Sequence, residues 1–291
     1  MIIVQLSGGL GNQMFQYAAG LEVARRNKVE LKVDVSGVAT DKLRNLELNN
    51  FQTEPELATE TELAAVIPRG LFEKVWQLTR TKNKRTWHRE RSFFYDPSFE
   101  AIGPNAYLKG YFQSEKYFQH VQDELRSAFQ LKASLTDRLA GVSDGLRKQL
   151  SVSVHIRRAD YLRPEIRKIH GLLSVEYYLE AIRRIKTQYP QAIFYFFSDD
   201  ITWVSENFKI PGAVMASSLY SRSALDDFYL MSQCQHNIIA NSSFSWWCAW
   251  LNNNPTKQVI APRMWFASRA DDNADRIPVQ WTSLQVKNMF Q

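Results

Sequence analysis

The stretch SVSVHIRRADY, residues 151–161, decides how this chain is read. Val152, Val154 and Ile156 alternate with Ser151, Ser153 and His155 as in a strand, and Arg157, Arg158 and Asp160 follow with no turn residue between. An unpaired charge inside a protein is very costly. The run therefore marks a strand end, where it either closes a salt-bridge knot or meets a strongly charged ligand. Apolar runs recur beyond it at 192–197, 213–216, 237–240 and 258–261. Between them lie helical periodicities at 174–188 (Tyr178, Ile182, Ile185) and 222–234 (Leu225, Tyr229, Met231), and the almost wholly apolar SFSWWCAWLN at 243–252. Strands alternating with helices predict a parallel sheet wrapped by helices.

The chain opens in the same way. A strand at 2–6 leads through SGGLGNQ to a helix over 13–27, striped by Met14, Ala18, Leu21 and Ala24, and then to a strand at 29–35. Residues 52–105 mix short helices with polar loops. A helix is predicted over 115–130 (Phe118, Val121, Leu125, Phe129), and another over 134–148 with a capping box in Ser134 and Asp137. The end of that helix sets a domain boundary near residue 150, giving 1–150 and 151–291. Two domains suit a chain of 291 residues.

Apolar residues at 45% and charged ones at 23% are ordinary for a soluble globular protein. The net charge of +6 is densest in RTKNKRTWHRER, residues 80–91. That run reads first as a solvated face, and otherwise as a patch for polyanions or anionic lipid. Its one aromatic, Trp87, ranks nucleic-acid binding last, and no nucleic-acid partner is expected. Cys234 and Cys248 show neither CxxC spacing nor a nearby His pair, which fits a reduced cytoplasmic protein without a metal or redox motif. No apolar stretch approaches the roughly 18 residues of a membrane span, and no basic segment precedes the first apolar run as in a signal peptide.

Parallel sheets place ligands at the carboxyl ends of their strands, and four polar clusters fall there. The glycine-rich turn GGLGNQ (8–13) suits close approach to a phosphate. With Asp34 it sketches a dinucleotide fingerprint, but Met14 stands where a third glycine belongs. A ligand-free strand-to-helix turn explains it equally well. In RRAD the adjacent arginines point to opposite faces. One reaches a ligand as a planar fork of donors while the other holds Asp160 or a helix end. A buried ion-pair network would explain the charges but not their siting. Ser198, Asp199 and Asp200, and likewise NSSFS (241–245), are each explained singly as helix caps. Together with the other clusters they suggest one anionic nucleotide. A metal-binding pattern is lacking, the acidic DDNAD (271–275) having the look of a loop, so arginines would compensate a departing diphosphate.

In order along the chain stand GGLGNQMFQYA (8–18), GYFQSEKYF (110–118), HIRRADY (155–161), FYFFSDD (194–200) and NSSFSWWCAWL (241–251). This set resembles the bacterial α-1,2-fucosyltransferases of glycosyltransferase family 11, from residue 5 to about residue 251. The HxRRxD core is shared with α-1,6 and peptide O-fucosyltransferases, so it fixes the donor better than the linkage. Ala159 stands where that core commonly has glycine.

The resemblance implies an α/β, GT-B-like fold of two Rossmann-like domains facing a cleft. Domain 1–150 would serve mainly the acceptor, and 151–291 would bind GDP-fucose. It also implies inverting transfer from GDP-β-L-fucose to a galactose-terminated acceptor, with no cofactor and no divalent metal. Carried over residue by residue, Arg157 neutralises the diphosphate with Arg158 beside it, and His155 sits by the nucleotide. Asp199 or Asp200 reads the guanine. Ser242, Ser243 and the Phe244 amide meet the phosphates, and Asn12, in its turn with Gly11 and Gln13, closes over the diphosphate. The base is expected to be Asp160, with Glu165 as its rival, and His170 contacts the acceptor. If the acceptor is lipid-linked, the 80–91 run would rest on anionic lipid. The alternatives are a GDP-fucose enzyme of another linkage and, on Gly9, Gly11 and Asp34, a nicotinamide oxidoreductase.

Overall fold

Parallel pairing governs both sheets of the protein. The computed structural model describes residues 1–39, 45–268 and 275–291, in two units, Met1–Gln130 and Leu131–Gln291. Four residues of the acidic run 271–275 thus lie outside the described residues. The first unit contains β1 (Ile2–Gln5), β2 (Leu31–Asp34), β3 (Trp87–Arg89) and β4 (Ala106–Lys109) in the order β2-β1-β4-β3. The second contains β5 (Ser151–Ile156), β6 (Ile193–Ser198), β7 (Val214–Met215), β8 (His236–Ile238), β9 (Val259–Pro262) and β10 (Thr282–Leu284) in the order β10-β9-β8-β5-β6-β7. Every strand ladder in both sheets is parallel.

β5 is buried at all six positions, as a parallel strand covered on both faces must be. Val154 pairs with Phe196 on one side and with Ile238 on the other. Val152, Val154 and Ile156 share a core with Tyr177, Ile182 and Ile185 of the helix Val175–Gln188, whose first turn is capped by the Ser174 hydroxyl accepting from the Tyr177 amide at 3.2 Å. The two serines among the polar alternates are paired, as buried polar groups usually are. Ser151 Oγ donates to the Leu146 carbonyl at 2.7 Å, and Ser153 Oγ accepts from Asn237 Nδ2 at 2.7 Å. The helix Ser243–Leu251 buries Trp246, Trp247 and Trp250, in keeping with a sequence apolar on every side. The chain leaves β5 for β6 on one flank and returns as β8 on the other. That reversal opens a crevice at the carboxyl ends of β5 and β8, where open α/β sheets take their ligands.

Four features differ from the sequence reading. The division falls after Gln130 rather than near residue 150, because the segment between 133 and 148 packs on the helix Ala224–Gln233. Arg138 pairs with Asp226, and Tyr229 Oη donates to Ser143 Oγ at 3.4 Å. The helix expected over 115–130 is broken into a 3-10 turn, Glu115–Tyr117, and a helix, Gln122–Ala128. At the break, buried Glu22 accepts from the His120 amide at 3.1 Å and pairs with its ring at 2.8 Å. No capping box forms at Ser134 and Asp137, since the helix starts at Ala133 with Lys132 before it. β3, β4 and β10 were not anticipated.

Candidate active site

Past β5, the two arginines diverge as side chains on a strand end should. Arg157 Nη2 meets Asp160 Oδ1 at 2.7 Å, and its Nη1 meets Asp199 Oδ2 at 2.6 Å. Burial works against its charge, but the two carboxylates outweigh it and raise the guanidinium above its ordinary value. Arg158 turns the other way. Its guanidinium lies 3.6 Å from the centroid of the Trp203 ring, a cation–π stack, and its Nε reaches Asp200 Oδ2 at 3.2 Å. Arg158 is 11% exposed and Arg157 27%, so Arg157 is the more accessible of the two.

β6 lies beside β5, which puts Asp199 and Asp200 against this loop. Asp199 Oδ1 accepts from the Arg158 and Ala159 amides at 2.8 and 3.1 Å while Oδ2 holds Arg157. Asp200 Oδ1 caps the helix Ile201–Asn207 through the Trp203 amide at 3.3 Å, and Oδ2 holds Arg158. The pair expected to read a base thus already shapes the arginine loop.

The third cluster is tied in by residues that sequence reasoning passed over. Tyr161 Oη donates to the Asn241 carbonyl after β8 at 3.0 Å. The Tyr161 ring stacks on His170 with centroids 5.0 Å apart, and Arg157 lies 5.9 Å from the Tyr161 centroid. Asn241 is buried, and its Nδ2 donates to the carbonyls of His170 and Trp265 at 2.9 and 3.1 Å. His170 thereby comes beside Asp160; burial lowers its pKa most, Asp160 opposes this, and Arg276 adds to it. Ser242 precedes the helix Ser243–Leu251 without a side-chain cap bond, and no acidic residue occupies that helix's first turn. Its N-terminal amides carry the partial positive charge that favours an anion. Phe244 packs on the His155 ring at 5.7 Å. Glu165 lies exposed in the first turn of the helix Pro164–His170.

His155 Nδ1 is buried without a hydrogen-bond partner among the described residues. Burial first, and Arg157 second, push this histidine down to about 3. In the first unit, burial chiefly pushes His88 down to about 4. An unfolded chain protonates histidine near 6.5, so below that pH it takes up protons that the folded chain refuses, and stability falls with pH. Asp227, raised to about 6 chiefly by burial, loses its contribution as pH rises, but its displacement is the smaller. The melting temperature should therefore decline steadily from pH 6.5 to 4, and His88→Gln should flatten that slope. A melting temperature constant down to pH 4 would contradict both placements.

Gly11, Asn12 and Gln13 lie in the first unit, at the start of the helix Leu10–Asn27 beyond β1. Gly8 has φ +72°, a conformation that favours glycine. Gln13 is not a free donor. Its Nε2 donates to the Gly8 and Asn45 carbonyls at 3.0 and 2.8 Å, and its Oε1 accepts from the Glu47 amide at 3.0 Å. Asn12 Oδ1 accepts from Gln113 Nε2 at 2.8 Å, which joins the glycine turn to the GYFQSE motif after β4. Asp34 does not await a ribose. Its carboxylate accepts from Ser36 at 2.8 and 2.9 Å and from Tyr107 Oη at 2.6 Å, which removes the support of the oxidoreductase reading. Among the described residues no group of three or more His, Cys, Asp or Glu could hold a metal ion. Both cysteines are free and buried.

An arginine held between two carboxylates thus stands at the switch point of a parallel α/β sheet, beside a helix start. Residues 85–285 match Glycosyl transferase family 11, and the chain belongs to that family. It is 31% identical over 98% of its length to the alpha-1,2-colitosyltransferase of Escherichia coli, covering 99% of that protein. It is 33% identical over 90% of its length to the O-antigen biosynthesis glycosyltransferase WbnK of Escherichia coli, covering 94% of it. A solved structure of NodZ alpha-1,6-fucosyltransferase soaked with GDP-fucose aligns with a TM-score of 0.52 at 17% identity, over 86% of this chain and 91% of that one. The fold is accordingly α/β and GT-B-like, with two Rossmann-like units, as the family resemblance implied.

Proposed function

We infer that this chain transfers L-fucose from GDP-β-L-fucose to the 2-hydroxyl of a terminal galactose in a glycan, with inversion and without a divalent metal. The observation that carries this reading is Arg157, poised between two carboxylates at the switch point of the second sheet in a family 11 chain. In the displacement, the acceptor oxygen bonds to the anomeric carbon as the bond from that carbon to the diphosphate breaks. GDP leaves with the electron pair, and a base takes the hydroxyl proton. Arg157 supplies the positive charge that meets the departing diphosphate.

One arginine between two carboxylates leaves a net negative charge, so a diphosphate is admitted only if a carboxylate yields. Asp199 is also bound by two backbone amides, which fix it to the arginine loop. Asp160 would therefore be the one to turn away. Losing its guanidinium partner makes a carboxylate more basic, so donor binding would itself activate Asp160 as the base. The helix-start amides at Ser243 and Phe244, with the hydroxyls of Ser242 and Ser243, would hold phosphate oxygens. The nucleotide would supply the partner that His155 Nδ1 lacks. Guanine recognition by Asp200 would compete with two bonds, from Arg158 and the Trp203 amide, against three for Asp199.

A second reading, transfer of a colitosyl unit, is favoured by the 31% identity over nearly the whole chain to a colitosyltransferase. Incubation with GDP-fucose and a lactose-type galactoside, with and without chelator, followed by NMR of the product, separates the two. An α-1,2-fucosylated product whose rate a chelator leaves unchanged is expected. Silence with GDP-fucose and turnover with the colitosyl donor would select the second reading.

A further inference from the structure

The helix Gly70–Thr79 of the first unit is turned inside out. Leu71 and Phe72 are 78% and 83% exposed, and Val75, Trp76 and Leu78 are exposed as well. The buried residue is the polar one. Gln77 Nε2 donates to Thr86 Oγ1 at 2.9 Å, and Gln77 Oε1 accepts from the Thr86 amide at 3.0 Å. At 100° per residue the five apolar side chains span an arc of about 160°, and Gln77 lies on the opposite side. A contiguous apolar face of this kind, rimmed by polar residues, marks an interaction surface.

The charge around that face is predominantly positive. Segment 69–91 has eight Lys or Arg against Glu73 and Glu90, a net of +6, which equals the formal net charge of the whole chain. The cations are built into the structure rather than carried on a tail. Arg80 lies 4.7 Å from the Trp76 ring centroid, and Lys74 lies 6.0 Å from that of Trp87. Arg85 donates to the carbonyls of Leu78 and Arg80 at 2.7 and 2.8 Å, which joins the basic run to the end of the helix. Apolar and aromatic side chains on one face with a cationic border are the composition of a helix that lies in a membrane interface. A second copy of the chain fits poorly, because a two-fold contact would bring this basic border against itself.

We propose that the helix Gly70–Thr79 and the adjoining basic run dock this protein on a membrane surface containing anionic lipid. The apolar face enters the headgroup boundary, and the cations engage lipid phosphates. This inference stands apart from the sugar transferred, because no group at the second unit's sheet edge takes part in it.

The test is flotation of the full chain with vesicles of phosphatidylglycerol and phosphatidylcholine, and with phosphatidylcholine alone. Binding to the anionic vesicles only, weakened by salt, is expected. Leu71→Ser with Phe72→Ser should reduce the partition coefficient at least tenfold. Lys84→Ser and Arg91→Ser should each reduce it about fivefold. Because all four positions are exposed, the variants should melt like the parent and keep its activity on a soluble acceptor. Three results would overturn the proposal. They are absence of flotation with the anionic vesicles, undiminished flotation of the Leu71→Ser, Phe72→Ser protein, and light scattering that shows a dimer which those two changes convert to monomer.

Discussion

Arg157→Ala is expected to lower kcat for fucosyl transfer on the order of 100-fold or more, the typical consequence of losing a donor aimed at charge that develops in the transition state. The geometry explains why a neighbour should not take over. Arg158 is committed to Trp203 and Asp200 on the opposite side of the strand end. Removing Arg157 also leaves Asp160 and Asp199 facing one another without their cation, so some loss of thermal stability accompanies the loss of rate. Arg157→Lys separates the two effects. An ammonium restores the charge between the carboxylates but not the planar fork, so stability should return to a greater extent than turnover. Near-normal kcat in Arg157→Ala, measured with saturating donor, would remove this residue from the mechanism.

The second large effect is expected at the base. Loss of a general base typically costs 10²- to 10⁴-fold, and Asp160→Asn should fall in that range while still binding GDP-fucose. Asp160 occupies a 3-10 turn directly after the arginine loop and touches Arg157, whereas Glu165 stands exposed one turn farther on. Glu165→Gln should therefore change kcat only a few-fold. The acid limb of the kcat–pH profile should disappear in Asp160→Asn and persist in Glu165→Gln. Full activity in Asp160→Asn with loss in Glu165→Gln would transfer the role to the glutamate.

Much of the second unit was legible in the sequence because its strands are apolar runs long enough to stand out. β5 and β6 have six residues each, and the charges after them could be placed at strand ends. β3 and β10 have three residues each, too few to show alternation. The candidate site was legible as four clusters but not as a bonding pattern. That Asp199 would clamp the arginine loop depends on β6 lying beside β5, which sequence order does not specify. The buried amides were harder still. Gln13 belongs to the turn expected to close over the diphosphate, and Asn241 opens the NSSFS run, yet each staples distant backbone together. An amide side chain reads the same in sequence whether its partner is a carbonyl of the chain or an oxygen of a substrate. The helix Gly70–Thr79 was lost among mixed short elements, because helical periodicity shows that a face is apolar but not which way it points.

The most direct measurement is a crystal structure of the protein with GDP bound. Phosphate oxygens should stand within hydrogen-bond distance of the Arg157 guanidinium and of the amides that open the Ser243–Leu251 helix, with Asp160 turned away and Asp199 still in place. A nucleotide whose phosphates lie elsewhere, or are held by a bridging metal while Arg157 keeps both carboxylates, would contradict the account.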